Sequence, residues 1–181
     1  MTADSILQIN VSLEHVRPPV WRRLLVPADV TLARLHRILQ TAMGWHDCHT
    51  HVFDTPLGRF GQPCRESGHR DEAAASLRTV APAAGDRITY LYDLADEWVH
   101  RIEIERALPL TEDVDYPVCI AGRRACPPES CGGPWGYAEL LRVITQPANT
   151  WHETLIKWLG RPFDPDHFDS SETNKLFAQV L

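Results

Sequence analysis

The chain has 181 residues, 44% of them hydrophobic, enough for one ordinary domain with an apolar core that needs no disulfide or metal staple. Acidic side chains outnumber basic ones by 24 to 18, and the formal net charge of −6 weighs against gripping nucleic-acid phosphates by bulk charge. The first residues lack a basic start followed by an apolar run, and no stretch approaches membrane-spanning length. The expectation is a soluble cytoplasmic protein without a membrane partner, whose cysteines (Cys48, Cys64, Cys119, Cys126 and Cys131) are thiols or metal ligands rather than disulfides.

Alternating apolar positions at Ile9, Val11 and Leu13 predict a strand over residues 6–13, ended by Pro18-Pro19. A second strand over 20–26 puts Val20, Leu24 and Val26 on one face and Trp21, Arg23 and Leu25 on the other, and Pro27 closes it. Thr31 is a good N-cap, and Leu32, Leu35, His36, Leu39 and Met43 follow at helical spacing until Gly44 stops the helix. Residues 45–53 read as a strand broken by Asp54-Thr55-Pro56. Residues 56–86 show weak periodicity and read as a long excursion with one short helix near 72–76. Ile88, Tyr90 and Tyr92 alternate with polar neighbours, a polar turn covers 93–97, and a second alternation runs over 99–106, the clearest hairpin in the chain.

Residues 116–136 are loop by composition, because Pro117, Gly122, Pro127, Pro128, Gly132, Gly133 and Pro134 oppose regular structure. Helical spacing resumes over 137–144. Thr150 with Glu153 forms a capping box ahead of Trp151, Leu155, Trp158 and Leu159, with Gly160 as the stop; a last helix starts near Asp169 and carries Leu176, Phe177 and Val180. Strands first and helices last predict one α+β domain over residues 1–181: an antiparallel or mixed sheet with hairpins, one early helix, and C-terminal helices packed on it.

Three groups of residues have the chemistry for a site. Cys119, Cys126 and Cys131 supply three thiolates within a proline-stiffened loop, enough for zinc if a histidine such as His100 completes the set; buried thiols that bind nothing are the plainer alternative. His49 and His51, preceded by His46 and Asp47, project to one face if they lie on a strand, the geometry a metal would use; packing on Trp45 and turn capping compete with it. His100 shares a strand face with Ile102 and Ile104, where an imidazole needs a partner that Asp93 or Asp96 could provide, unless it is simply a satisfied core histidine. Phosphate-binding glycine loops and the Gly-x-Ser-x-Gly elbow are absent from the sequence.

The ordered blocks Pro18-Pro19-Val20-Trp21-Arg22-Arg23, Leu35-His36, Gly44-Trp45 with His49 and His51, Tyr92-Asp93 with Asp96, Trp98 and His100, Cys126-Pro127-Pro128-Glu129 and Gly132-Gly133-Pro134-Trp135-Gly136-Tyr137 resemble the plasmid pRiA4b ORF-3-like family across nearly the whole chain. The resemblance implies an α+β fold and an origin among plasmids and insertion elements, and it carries no firmly established reaction. Leu94-Ala95 stands where the family usually has Phe-Gly, Glu97 where it often has Gly, and Ser130 where it usually has Asp. Cys131 stands at a position that is often Val, so Cys119 with Cys126 is the better-supported thiol pair.

Two functional expectations follow. In the first, Trp21, Arg22, Arg23, Trp45, Trp98, Trp135 and Tyr137 build a concave surface for a protein or nucleic-acid partner. In the second, His49, His51, Asp96 and His100 hold a catalytic metal with Glu129 as general base of a hydrolase or nuclease, or the thiols hold structural zinc.

Overall fold

The computed structural model describes residues 5–63, 68–160 and 162–180; Cys64 lies outside them. Among the described residues, eight strands form one sheet: β1 (Ser5–Leu13), β2 (Trp21–Pro27), β3 (His51–Thr55), β4 (Gly58–Gly61), β5 (Arg70–Asp71), β6 (Arg87–Tyr92), β7 (Trp98–Pro109) and β8 (Val118–Arg123). Their order is β5-β4-β3-β6-β7-β1-β2-β8, with every neighbouring pair antiparallel except β4 with β5. The helices are α1 (Leu32–Met43), the one-turn α2 (Leu77–Val80), α3 (Gly133–Ile144), α4 (His152–Leu159) and α5 (Ser170–Val180). The fold is α+β with a mixed sheet. No helix among the described residues is long and apolar enough to cross a membrane.

The strand period of two builds the core. Leu7, Ile9 and Val11 on β1, Leu24 and Val26 on β2, Tyr90 on β6 and Ile102 on β7 are fully buried in one cluster with Leu32, Leu35, Ile38 and Leu39 of α1. Burial of each large aliphatic chain contributes about 1.5–3 kcal/mol, so α1 is held by its apolar stripe more than by propensity. Its ends agree with the sequence signals: Thr31 Oγ1 accepts from Arg34 N at 3.2 Å. Gly44, at φ +71°, donates back to Gln40 and Thr41 carbonyls.

Four sequence expectations about local structure change. The strand expected over residues 45–53 begins only at His51, because the preceding amides bond to side chains: Asp47 N donates to Gln40 Oε1 and Cys48 N to the Tyr92 hydroxyl. The excursion over 56–86 is more ordered than its composition suggests, holding β4, β5, a 3-10 turn at Glu72–Ala74 and α2, each too short to show a period. The proline- and glycine-rich stretch 116–136 contains β8 and the start of α3, whose Pro134 sits in the first turn, where a missing N–H costs nothing. The Thr150 capping box does not form: α4 starts at His152 and its N-cap, Trp151, makes no side-chain cap bond. The C-terminal α5 docks on the edge of the sheet, where Asn174 Oδ1 accepts from Cys119 N at 2.7 Å and its Nδ2 donates to Cys119 O at 3.0 Å.

Candidate metal centre

Two imidazoles meet where α1 faces β3. His36 comes from the buried stripe of α1 and His51 opens β3; their rings stack with centroids 3.6 Å apart and planes 6° from parallel. Asp47, held at φ +56° in the connecting loop, turns its Oδ1 to 2.9 Å from His36 Nε2. Glu72, at the start of the 3-10 turn, lies 2.7 Å from His51 Nε2. Ligand atoms of His36, Asp47 and His51 all fall within 4.8 Å of one another, the one such group of three or more among the described residues.

The electrostatics suit a cation. Each buried imidazole faces a carboxylate: His36 Nε2 lies against Asp47 Oδ1 and His51 Nε2 against Glu72 Oε2. Burial, then the neighbouring His51, lowers the His36 pKa against the opposing pull of Asp47 and Glu72, a shift toward the neutral form that ligates metals. The Tyr90 hydroxyl lies 2.8 Å from His36 Nδ1 and accepts from Gln40 Nε2 at 2.9 Å. That contact orients the ring with Nε2 toward the cluster, as outer hydrogen bonds orient metal-bound histidines. His36, His51 and Glu72 are nearly sealed from solvent, and the half-exposed Asp47 marks the way in.

A second cluster gathers around Tyr92. Its hydroxyl donates to Glu129 Oε1 at 2.7 Å, and His46 N donates to Glu129 Oε2 at 2.9 Å, so both oxygens of the expected general base are already engaged. Trp45 Nε1 donates to Pro127 O at 2.8 Å while the indole packs on Tyr92, Trp98 and His100, pinning the proline loop to the core. His49 Nε2 is 3.3 Å from Ser130 Oγ, and its Nδ1 is 3.5 Å from Asp93 Oδ2.

The residues singled out in the sequence are therefore dispersed. His51 joins His36, His49 faces the proline loop, and Asp96 accepts from Gly132 N at 3.1 Å. His100 is fully buried against Trp45 with Nδ1 3.0 Å from Trp98 O, and burial lowers its pKa to about 4. Cys119, Cys126 and Cys131 do not gather. Cys119 sits on β8 beside α5, Cys126 Sγ is 3.1 Å from both Arg22 Nη2 and Met43 Sδ, and burial raises all three thiols, Cys119 to about 11 and Cys131 to about 12.

The aromatic and basic residues expected to form a concave surface divide between core and surface. Trp45, Trp98 and Tyr137 are buried. So is Arg22, which donates to the carbonyls of Ala42, Trp21 and Arg123 and stacks on Phe168. Trp135 is 87% exposed, and Arg23 pairs with Glu105 beside Trp21. Sequence reasoning passed over His36, Glu72 and Tyr90 as site residues. The available signal was an imidazole on the apolar stripe of α1, a core position that obliges a polar ring to find a partner.

A family model described as plasmid pRiA4b ORF-3-like protein matches residues 5–172. The chain belongs to this family. "Uncharacterized protein y4hQ" of Sinorhizobium fredii (strain NBRC 101917 / NGR234) is similar, with 37% identity over 179 residues that span 97% of this chain and 89% of the relative. The crystal structure of the protein of unknown function MM3350 from Methanosarcina mazei Go1 matches with a TM-score of 0.87 and 34% identity, over 94% of this chain and 97% of that one. Neither description names a reaction, so function has to be argued from the site.

Proposed function

We propose that this member of the pRiA4b ORF-3-like family binds a divalent transition metal between α1 and β3, with His36, Asp47 and His51 as ligands. The carrying observation is the convergence of two buried imidazoles and a carboxylate, with ligand atoms all within 4.8 Å of one another. Two nitrogens and a carboxylate oxygen are a donor set for zinc, iron, cobalt or nickel rather than for calcium or magnesium. Glu72, bonded to His51 Nε2, serves as a fourth ligand or as the carboxylate that orients the ring, both common arrangements. The sealed setting favours holding an ion over turning over a bulky substrate at it.

The ligands come from a helix, a loop and a strand, so an ion here would clip three elements together. By linkage, metal at about 100 times its Kd would raise the unfolding free energy by about 2.7 kcal/mol. As for a protein or nucleic-acid partner, the exposed Trp135 is the residue that still supports that reading. The net charge of −6 weighs against the nucleic-acid arm.

Metal analysis of untagged protein, as purified and after loading with zinc, iron(II), cobalt or nickel, tests the proposal. The expected result is one equivalent, lost in the His36→Ala/His51→Ala double variant and retained in Cys126→Ser. Loss in Cys126→Ser with retention in the double variant would move the ion to the thiols. No stoichiometric binding of any of these ions would end the metal reading.

A further inference from the structure

Ser130, His49 and Asp93 come from three loops separated in sequence and stand in line. Ser130 Oγ is 3.3 Å from His49 Nε2, and His49 Nδ1 is 3.5 Å from Asp93 Oδ2. The order nucleophile, imidazole, carboxylate is that of the serine acyl-transfer triads, which are recognised by geometry and not by sequence position. Relays without substrate are often longer than in the complex.

Each member is fixed from outside the relay. Asp93 is buried and at φ +56°, and its Oδ1 accepts from the amides of Ala95 and Asp96, which turns Oδ2 toward His49. The His49 ring rests edge-on against Tyr92. Ser130 is exposed, at φ +59°, on a tight turn anchored one residue earlier by the two hydrogen bonds to Glu129. Left-handed non-glycine residues cost about 1–3 kcal/mol each and collect at functional sites.

Two further features give such a relay something to act on. The twelve-residue α3 begins three residues after Ser130, which brings the positive end of the helix close to the serine along the chain. Its approach depends on Gly133, at φ +67°, where a Cβ would overlap the Asp96 carbonyl of the hairpin turn. Ser130 also lies on the rim of a cavity of about 520 Å³ lined largely by apolar side chains, among them Leu140, Val143, Trp151, Leu155 and Trp158. A cavity of this size and lining accepts an aliphatic or aromatic acyl group.

We infer that the chain carries an esterase-type acyl-transfer site at Ser130, with the acyl group in the cavity between α3 and α4. Ser130 Oγ attacks the carbonyl carbon of a carboxylic ester as His49 Nε2 takes the hydroxyl proton. The tetrahedral oxyanion lies against the α3 amides. Its collapse breaks the bond to the leaving alcohol, which takes the proton back from His49. Water, deprotonated by the same imidazole, then attacks the acyl-serine, releasing the carboxylic acid and restoring Ser130. Asp93 is a positioning residue that keeps the His49 proton on Nδ1.

The test uses the full chain with an alkyl fluorophosphonate and with p-nitrophenyl acetate and octanoate, with and without EDTA. The expected result is one adduct on Ser130 by mass spectrometry and a kcat/KM for octanoate at least about tenfold that for acetate. Neither should respond to EDTA, which separates this site from the proposed metal centre. Ser130→Gly keeps the left-handed turn and should lose both signals. His49→Gln should slow turnover by about 100-fold or more, and Asp93→Asn should lower kcat while leaving KM for octanoate in place. Labelling spread over other side chains, or undiminished in Ser130→Gly or His49→Gln, would overturn the inference. So would EDTA-sensitive turnover.

Discussion

The His36–His51 centre and the Ser130 turn are served by different tyrosines of β6 and differ in almost every physical respect. Tyr90 reaches His36 on one side and Tyr92 reaches Glu129 on the other. The first centre is sealed and presents two imidazoles to two carboxylates. The second is open, with its serine exposed beside an apolar cavity. Buried imidazoles that face carboxylates suit an ion, whereas exposure with a rigid backbone leaves a nucleophile where a substrate can reach it.

Removing both rings of the sealed centre should break that contrast most completely. The His36→Ala/His51→Ala variant is expected to weaken the binding of an added transition metal by well over 100-fold, measured by competition with a chromogenic chelator, and to abolish any rise in thermal midpoint on metal addition. The open site should be untouched, since His49 and Asp93 take their partners from Ser130, from each other and from the hairpin turn.

His100 sharpens the comparison because it is a buried histidine that neither centre uses. Its folded pKa of about 4 lies below the ordinary 6.5, so the unfolded chain binds more protons between those values. Its contribution is fully present above pH 6.5 and fades as the pH falls toward 4, a loss of about 3 kcal/mol. Urea unfolding at pH 7 and pH 4 should show a smaller loss for His100→Phe than for the parent chain, and the difference measures this residue.

Glu72→Gln keeps the shape of the His51 contact and removes the charge. A 10- to 100-fold loss of metal affinity with unchanged stoichiometry is expected for a carboxylate that orients or supplements the ligands, read by the same chelator competition. The smallest effect belongs to the surface. Arg23→Ala breaks a partly exposed pair with Glu105 and should cost less than about 1 kcal/mol in urea unfolding.

Much of the architecture was legible locally. Thr31 and Gly44 bounded α1, alternation found β1 and the β6–β7 hairpin, and the order of strands and helices pointed to α+β. The proline- and glycine-rich stretch was misleading because composition alone cannot say that Pro134 falls in a first helical turn or that residues 118–123 find an open sheet edge on β2. The spacing of His49 and His51 suggested one shared face, but side chains draw the backbone before His51 out of the strand, and the two rings part.

The sequence by itself determined the periodic elements and the family, since both are written in short-range pattern and ordered motifs. The tertiary structure alone decided which polar groups meet. His51 finds Glu72 21 residues away, His36 finds Tyr90 54 residues away, and His49 finds Ser130 81 residues away. Such pairings are set by sheet order and by the seating of α1 and α3, so no local period could have announced them.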